Sequence, residues 1–430
     1  MPKARDKHFD EFEPHTLLKH AILKTYLATW AMRLLQWGRA GDVVYFVDAF
    51  AGQGRDGVGN PGSPAIAARI AAETQAHLRA HGFPRATMRV ICVERDSTNY
   101  RVLREYMIPF ERSDPGLVTL YEGELVDHID TILATTRGAP ALYFLDPYGV
   151  QGLDASTYPK ALGAPSCEMF VLFSDLGANR LHGVVTASTE DVEAQIERLN
   201  GDRPMLPLPE FEAIAKAEAD AMRVAARVRA EALDLTRPAS YEYLVRALGN
   251  DEWVRALENV LAPDLPDAFL ALFLRRLIEA GAEHLLTVPM RNIEGRYVYS
   301  LVHASRSLTG FTVMKESVST GLRSGALPED VCFQIRRDLE VPMDGILELL
   351  DQTYAGQTVR WTLPKGADGD CVRRFVLQNT PMFDFQLDDL KVALVRRGNI
   401  PVGRTGKAKT PTFVTFPSAG SRAPWPRAAD

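Results

Sequence analysis

The sequence predicts an α/β protein whose core is a doubly wound, mostly parallel β-sheet. Two observations lead to this fold class. Short apolar segments alternate with helical segments between residues 43 and 173, and most of these apolar segments are followed at once by acidic or polar residues. Strands that are buried on both faces and connected through helices have this pattern, because each parallel pair needs a crossover. The predicted strands are residues 43–47, 88–93, 117–121, 141–145 and 168–173.

The composition predicts a packed globular protein. Hydrophobic residues make up 46% of the 430 residues and charged residues 24%, and a chain of this length favours two domains. The four cysteines are scattered without a C-x-x-C pair, which argues against a zinc site or a disulfide framework and fits a reducing cytoplasm. No apolar run approaches the roughly 20 residues that cross a bilayer. We therefore expect a cytoplasmic protein with no bound metal and no membrane segment.

The charge is unevenly distributed along the chain. The net charge is −6, but residues 371–430 contain 10 lysines and arginines against 4 acidic residues. A basic C-terminal part on an acidic body indicates that this part contacts a polyanion such as a nucleic acid. Ordinary variation of surface charge is the alternative interpretation.

Helices are predicted on either side of the first strand. Apolar residues recur at helical spacing from residue 15 to 37, so this helix should cover one face of the sheet. After the first strand, Ser63 is a suitable N-cap and Pro64 a suitable first helical residue for a helix that runs toward His81. Two further helices are predicted at residues 99–107 and 128–135.

The middle of the chain differs in character. Residues 186–280 are rich in alanine, glutamate, arginine and leucine with helical periodicity, which predicts a helical insertion in an α/β domain that spans residues 1–325. Two strands follow at 284–289 and 296–304, and this hairpin should complete the sheet. A helix near Lys315 and an irregular stretch at 327–341 come next.

The C-terminal part predicts a winged helix-turn-helix domain over residues 340–420. Three helices are expected at 344–352, with Asp344 as N-cap, at 370–378 and at 386–397. Two strands, 399–402 and 412–416, would then flank a basic loop, as in the wing of such domains. The loop residues expected to contact phosphates are Arg404, Lys407 and Lys409.

The loop after the first strand predicts a nucleotide-like cofactor. Residues 52–57 match G-x-G-x-x-G, but the loop continues to Ser63 before a helix begins, and the next acid at a strand end, Glu94, follows after roughly 45 residues instead of the ~20 expected for NAD. Asp48 precedes the glycines, and Glu94 follows the next strand, an arrangement that suits S-adenosylmethionine. The two oxygens of a carboxylate can accept hydrogen bonds from both ribose hydroxyls of this cofactor. The predicted cofactor residues are Asp48, Phe50, Gly52, Gly54, Glu94 and Glu122, with Glu124 as the alternative to Glu122.

The turn after the fourth strand predicts the site of chemistry. Methyl transfer from S-adenosylmethionine to an exocyclic amine of a nucleic-acid base needs an acceptor for the amine and an aromatic ring for the base. Asp146 and the carbonyl of Pro147 could accept hydrogen bonds from the amine, and Tyr148 could stack on the base. A target base within a duplex would have to be flipped out, at a cost of a few kcal/mol. A simple turn out of the strand is the alternative. Asn179 and Arg180, after the fifth strand, either face the substrate or cap a helix.

Several segments together resemble the three-Cys-motif partner protein family. The resemblance implies a class I methyltransferase-like fold with an S-adenosylmethionine site and a C-terminal winged helix. It also implies association with a three-cysteine protein that resembles radical-S-adenosylmethionine enzymes. The D-P-Y turn is similar to the D-P-P-Y of amino-methyltransferases but lacks the second proline. The segments that carry the resemblance are 18–20, 46–54, 62–64, 144–149, 299–304 and 310–315.

These observations lead to two functional hypotheses. The first is S-adenosylmethionine-dependent N-methylation of a base in DNA or RNA. The second is a nucleic-acid-binding subunit that delivers substrate to the three-cysteine partner and has no catalysis of its own, since a fold does not determine a reaction. An NAD-dependent oxidoreductase is disfavoured by the loop length and the spacing of the acids.

Overall fold

The computed structural model describes residues 12–36, 43–164, 166–180, 182, 239–257, 260–363, 371–400 and 413–416. Within these ranges, no helix is long and apolar enough to cross a membrane.

The sheet has seven strands in the order β3-β2-β1-β4-β5-β7-β6. The first five strands run parallel, and β7 runs antiparallel to both of its neighbours, so the terminal hairpin is inserted with β7 between β5 and β6. The predicted α/β class and the closing hairpin are confirmed. The strands are β1 Val43–Asp48, β2 Thr87–Glu94, β3 Val118–Glu122, β4 Ala141–Leu145, β5 Glu168–Phe173, β6 His284–Arg291 and β7 Tyr297–Ser305.

Helices cover both faces of the sheet because the central strands are apolar on both sides. Successive residues of β1, such as Phe46 and Val47, enter two different hydrophobic cores, one on each face. The first core is shared with α1 Pro14–Gln36 and α2 Ser63–Ala80, and the second with α4 Leu125–Thr136. Two further helices of this region are α3 Ser97–Ser113 and α5 Tyr158–Leu162.

The start of α2 differs in detail from the prediction. The N-cap is Gly62, and Ser63 is the first helical residue, followed by Pro64 as predicted for the first turn. No side-chain hydrogen bond caps the helix, and the Ser63 hydroxyl lowers the pKa of the nearby Asp48 carboxyl. Ser63 therefore belongs to the polar end of β1 and does not cap the helix.

The described part of the insertion is helical, as predicted. Its helices pack on the second core through residues such as Trp253, Phe269 and Phe273. Residues 186–238 lie outside the described residues, and so does the helix predicted at 211–232. The described helices are α6 Ala239–Leu248, α7 Glu252–Leu257 and α8 Leu265–Glu279.

The stretch predicted to be irregular, 327–341, contains a helix. This helix, α10 Glu329–Asp338, follows α9 Leu308–Gly321. Acidic residues occupy its first turn and Arg336 and Arg337 its last, which complements the helix dipole. Most residues of this helix are polar, but a narrow stripe of buried residues packs it against the sheet. The stripe consists of Val331, Cys332 and Ile335.

The C-terminal part has a core of its own and a two-stranded sheet. Strand β9, Phe413–Thr415, pairs antiparallel with β8, Thr358–Arg360, which precedes the second helix of this part. The prediction paired it with a strand at 399–402. Asn399 does exchange hydrogen bonds with Thr415 of β9, at 2.9 and 2.8 Å, but Asn399 and Ile400 form no strand, and 401–402 lie outside the described residues. The pairing with β8 places Val359 opposite Val414, which is buried, and no local pattern reveals this choice. The helices are α11 Met343–Tyr354, α12 Val372–Asn379 and α13 Leu387–Arg396.

Two further details of this part concern the predicted residues. The N-cap of α11 is Pro342, and Asp344 lies in the first turn, where its charge favours the helix N-terminus but its side chain does not cap it. Arg404, Lys407 and Lys409 lie outside the described residues, so the predicted phosphate contacts stay a prediction.

A buried lysine connects the C-terminal part to the α/β domain. Lys315 of α9 is fully buried, and its ammonium donates to the carbonyls of Leu377 and Thr380 at the end of α12. The ring of Phe311 lies 4.4 Å from the same nitrogen. The neighbouring Glu316 accepts from Arg373 of α12 at 3.2 Å. The contact therefore combines the buried Lys315 with a partly exposed ion pair.

Lys315→Met is expected to change how stability depends on pH. Burial lowers the pKa of Lys315 from 10.5 to about 7. The unfolded chain therefore binds more protons than the folded chain between pH 7 and 10, and wild-type stability rises with pH across this window. Relative to Lys315→Met, the wild type should gain about 3 kcal/mol in free energy of unfolding between pH 6 and 9. Urea unfolding at both pH values measures this; a constant difference between the two proteins would contradict it.

Candidate functional site

The carboxyl ends of the parallel strands form one edge, where the strand order reverses between β1 and β4. Ligands of open α/β sheets bind in the crevice at such a switch point. Asp48 ends β1, and Asp146 follows β4, the strand paired with it. Glu94 and Glu122 end β2 and β3 and lie opposite each other in register. The structure thus brings four predicted acids to one edge of the sheet.

Asp48 is a buried carboxyl group with an unused oxygen. Its Oδ1 accepts a hydrogen bond from the Phe50 N–H at 3.2 Å, whereas Oδ2 is buried and has no hydrogen-bond partner among the described residues. Burial raises the pKa of Asp48 to about 7, although the Ser63 hydroxyl and the Phe50 N–H lower it in part. The group can therefore gain or lose a proton near neutral pH.

The glycine loop folds back on itself between β1 and α2. Gly52 and Gly54 have φ of +58° and +76°, a region that L-residues rarely adopt. The Gly62 N–H donates to the Gly54 carbonyl at 2.8 Å, and the Gly52 N–H donates to Oε2 of Glu94 at 2.8 Å. These bonds hold the glycine backbone against the end of β2.

Glu94 organises the loop in addition to any ligand. Its Oε1 accepts from the Asp96 N–H at 2.7 Å, so each carboxylate oxygen holds one backbone N–H. Burial raises the pKa of Glu94. Because each carboxylate oxygen has two lone pairs, capacity remains for the predicted ribose hydroxyls.

Asp56 is a structural residue of this loop that sequence reasoning did not single out. Its Oδ1 accepts from the Asn60 N–H at 2.6 Å, and its Oδ2 accepts from the Asn60 side chain at 2.7 Å and from the Phe12 N–H at 3.0 Å. These hydrogen bonds outweigh burial and lower the pKa of Asp56. The D-x-x-x-N spacing inside a glycine loop is the signal that could have identified it.

Phe50 and Glu122 occupy different positions at the same edge. The ring of Phe50 lies so close to Gly152 that a Cβ at that glycine would be 2.7 Å from it, which connects the first loop to the loop after β4.

Glu122 is exposed at the end of β3. Its alternative, Glu124, binds Arg95 at 3.0 Å and Arg246 at 2.8 Å, and these contacts lower the pKa of Glu124. Glu122 is the acid of the two that has no ion pair among the described residues.

The D-P-Y turn contains a charged pair. Asp146 forms an ion pair with Lys19 of α1, which is 4% exposed, while the ring of Tyr148 is exposed and Pro147 is buried. Sequence reasoning did not assign a role to Lys19. Its only signal was its place in the segment 18–20 of the resemblance. The turn therefore presents one carboxylate that is held by a lysine beside one exposed aromatic ring.

A neutral histidine lies beside this pair. Burial and the charge of Lys19 lower the pKa of His20 to about 3, so it remains uncharged at neutral pH. The ring packs edge-on against Phe12 at 5.0 Å. His20 therefore adds no charge beside the Lys19–Asp146 pair.

The residues after β5 lie in a helical turn, and whether Asn179 and Arg180 face a substrate stays a prediction. Residues 175–180 are helical, and the Arg180 guanidinium donates to the Leu176 carbonyl, one turn earlier, at 3.3 Å. Asn179 is half-buried in the same turn. Asp175, which the predictions passed over, is buried and accepts from the Tyr297 hydroxyl, and burial raises the pKa of Asp175 to about 6.

Comparison with known proteins gives only weak similarities. No family model and no curated protein matches the chain. A candidate O-methyltransferase from Klebsiella pneumoniae aligns over 68% of this chain and 90% of its own, with 12% identity and a TM-score of 0.25. PKMT2 from Rickettsia typhi aligns over 67% of this chain and 56% of its own, with 11% identity and a TM-score of 0.23. At these scores the similarities carry no conclusion about function.

The edge of the sheet fits a cofactor with an amino-acid end and a ribose. Asp48 supplies a buried carboxyl oxygen without a partner. Gly52 has no side chain that would hinder approach to the backbone, and the missing side chain of Gly54 lets the loop pack against α3. Glu94 can accept further hydrogen bonds beside the loop. No group of three or more potential metal ligands occurs among the residues that the structure describes.

Proposed function

We propose that the protein binds S-adenosylmethionine at the carboxyl edge of the sheet and transfers its methyl group to an amino group of a nucleic-acid base. The observation that supports this most is the convergence of Asp48, the glycine loop and Glu94 on one side of the switch point with the D-P-Y turn on the other. A methyl donor and an acceptor would then meet between β1 and β4.

The residues of the D-P-Y turn suit an amine substrate. S-adenosylmethionine would supply an electrophilic methyl group. As the N–C bond forms and the S–C bond breaks, the amine nitrogen would gain positive charge, S-adenosylhomocysteine would leave as a neutral thioether, and the amine would then release a proton to water. The free oxygen of Asp146 would accept an N–H of the amine and stabilise this charge. The exposed ring of Tyr148 would stack on a planar base, a contact worth about 1–3 kcal/mol. The ion pair with Lys19 of α1 would hold the Asp146 carboxylate in position.

The C-terminal part would hold the nucleic acid. The order helix, strand, helix, helix and strand, with β8 and β9 paired, is compatible with a winged helix-turn-helix. The basic residues of segment 401–412 would then contact phosphates, as expected from the positive charge of residues 371–430. Glu122 would reach the adenine amino group of the cofactor.

Calorimetric titration of the full chain with S-adenosylmethionine tests the proposal first. We expect saturable binding at one site and, with labelled cofactor, methyl transfer to DNA or RNA that is lost when a protein or a free nucleoside replaces the polynucleotide. Binding with transfer to a polynucleotide supports the proposal. Absence of binding in a chain whose circular dichroism shows an intact fold would reject it.

The Lys19–Asp146 ion pair favours a second candidate function. A carboxylate that is already engaged by a buried lysine is a weaker acceptor for a substrate amine than a free one. In this alternative the chain is a nucleic-acid-binding subunit that presents substrate to a three-cysteine protein of the radical-S-adenosylmethionine type. Polynucleotide binding without methyl transfer by the isolated chain, and with modification only when such a partner is added, would support it.

A further inference from the structure

Several buried polar groups at the carboxyl edge have more hydrogen-bonding capacity than the described residues use. The Lys19 ammonium donates to Asp146 and to no other described residue, which leaves N–H donors unused. The Oδ2 atom of Asp48 and the hydroxyl of Tyr299 are buried, and no described residue forms a hydrogen bond to either atom. Buried polar groups without partners are rare in native proteins and need an explanation.

These groups lie around the Lys19–Asp146 pair. Burial, and then the charge of Asp146, raises the pKa of Tyr299. At Asp48, the charge of Asp146 raises the pKa and that of Lys19 lowers it. Tyr299 lies on β7 in the core that α1 shares with the sheet, and its ring contacts His15 of α1 at 5.6 Å. Lys19 contacts Asp146 directly, Asp48 ends the strand that pairs with β4, and Tyr299 lies in the core on the α1 side of the sheet. Two donors, Lys19 and Tyr299, and one acceptor, Asp48, therefore lie near the same ion pair.

The chemistry of the cluster specifies the kind of group that would satisfy it. A carboxylate could accept from Lys19 and Tyr299, and an ammonium could donate to the free oxygen of Asp48. A phosphate or another purely anionic group would face the two acids, and a neutral group would leave donors and acceptors without charged partners. A group that carries both charges on neighbouring atoms matches all three residues.

We infer that Lys19, Tyr299 and Asp48 recognise the α-amino-acid end of the bound cofactor, with Asp146 holding Lys19 in position. This inference rests on the proposed function, because the cofactor proposed there ends in an amino acid. It adds specificity that the glycine loop alone does not provide. The protein should select ligands with an intact amino-acid end over those that keep only the adenosine and the sulfur atom.

The ligand pair S-adenosylhomocysteine and 5′-methylthioadenosine tests this selectivity, because the second lacks the amino-acid end. We expect the wild type to bind S-adenosylhomocysteine about 100-fold more tightly in calorimetric titrations of the full chain. Tyr299→Phe should weaken S-adenosylhomocysteine binding about 10-fold, the effect of one hydrogen bond to a charged group, and leave 5′-methylthioadenosine binding unchanged. Lys19→Met should remove most of the selectivity.

A second tyrosine provides the matched control. The Tyr143 hydroxyl is also buried without a hydrogen-bond partner among the described residues, but Tyr143 lies in the core on the other face of the sheet. Tyr143→Phe should change the affinity of neither ligand. Since Lys19→Met breaks a buried ion pair and can disturb folding, Tyr299→Phe, which removes only an unpaired hydroxyl, decides the test.

The outcomes separate the inference from the proposed function. Equal binding of both ligands by the wild type, or equal effects of Tyr299→Phe and Tyr143→Phe, would overturn the inference and leave cofactor binding intact. No binding of S-adenosylmethionine or of either test ligand by the folded wild type would overturn the proposed function and the inference with it.

Discussion

Gly54→Leu is expected to abolish S-adenosylmethionine binding. Gly54 has φ +76°, and a Cβ there would lie 2.9 Å from Cδ1 of Leu103 and 3.0 Å from Cδ1 of Tyr106. The Gly54 carbonyl also accepts the Gly62 N–H at 2.8 Å, so a shift of residue 54 moves both arms of the loop. Left-handed backbone costs an L-residue about 1–2 kcal/mol, and overpacking adds about 1–3 kcal/mol, so the affinity should fall at least about 30-fold.

Gly59→Leu is the control for this experiment. Gly59 belongs to the same loop and also has positive φ, +96°, but nothing lies within 4 Å of the position of its Cβ. Both variants therefore carry the backbone strain, and only Gly54→Leu adds the clash with α3. Calorimetric titration of both variants, with thermal unfolding as a check on folding, measures the difference. A Gly54→Leu variant that folds and binds S-adenosylmethionine as tightly as the wild type would contradict the prediction.

Asp146→Asn is expected to lower the rate of methyl transfer by about 10²–10³-fold, the usual effect of losing one preorganised electrostatic contact. Asparagine keeps the volume and can still accept from Lys19, but it lacks the negative charge that would stabilise the amine as it accepts the methyl group. The affinity for S-adenosylmethionine should fall by less than about 10-fold, because Asp146 acts on the cofactor only through Lys19. Labelled-methyl transfer to a polynucleotide, with calorimetry of the cofactor, separates the two effects.

Asp154→Asn provides the comparison. Asp154 is the next acid along the chain and likewise pairs with a basic residue, Arg246, at 3.3 Å. Asp154 lies in the segment after β4 but outside the D-P-Y turn. Its neutralisation should therefore leave the transfer rate within about 3-fold of the wild type. If Asp146→Asn transfers as fast as Asp154→Asn, the amine does not depend on Asp146, and the second candidate function gains support.

The elements of the α/β domain were largely predictable because their signals are local. The five parallel strands are short apolar runs with polar ends, and each strand lies within a few residues of its predicted bounds. The positions of Asp48, Glu94 and Asp146 at one edge followed from that pattern, since parallel strands end on the same side of a sheet. The cofactor was inferred from the length of the glycine loop and the spacing of the acids, and it stays a prediction that the titrations test.

Other features could not be read from local patterns. Most residues of helix α10 are polar, so its sequence does not predict a helix. The helix is stabilised by a stripe of three buried residues that packs on the sheet. The partner of β9 is a strand more than 50 positions earlier, which the sequence around the basic loop does not specify. The role of Asp56 emerged only once Asn60 and Phe12 were seen around its carboxyl group.

By itself, the sequence determined the fold class, the order of strands and helices along the chain, and the acids at the strand ends, because hydrophobic periodicity and glycine conformation act over a few residues. Only the tertiary structure decided which charges meet. Lys19 and Asp146 are 127 positions apart, and they form a buried pair because α1 packs across the sheet beside β4. Contacts of this kind depend on how distant elements pack, and the free energy of that packing is not encoded in any single segment.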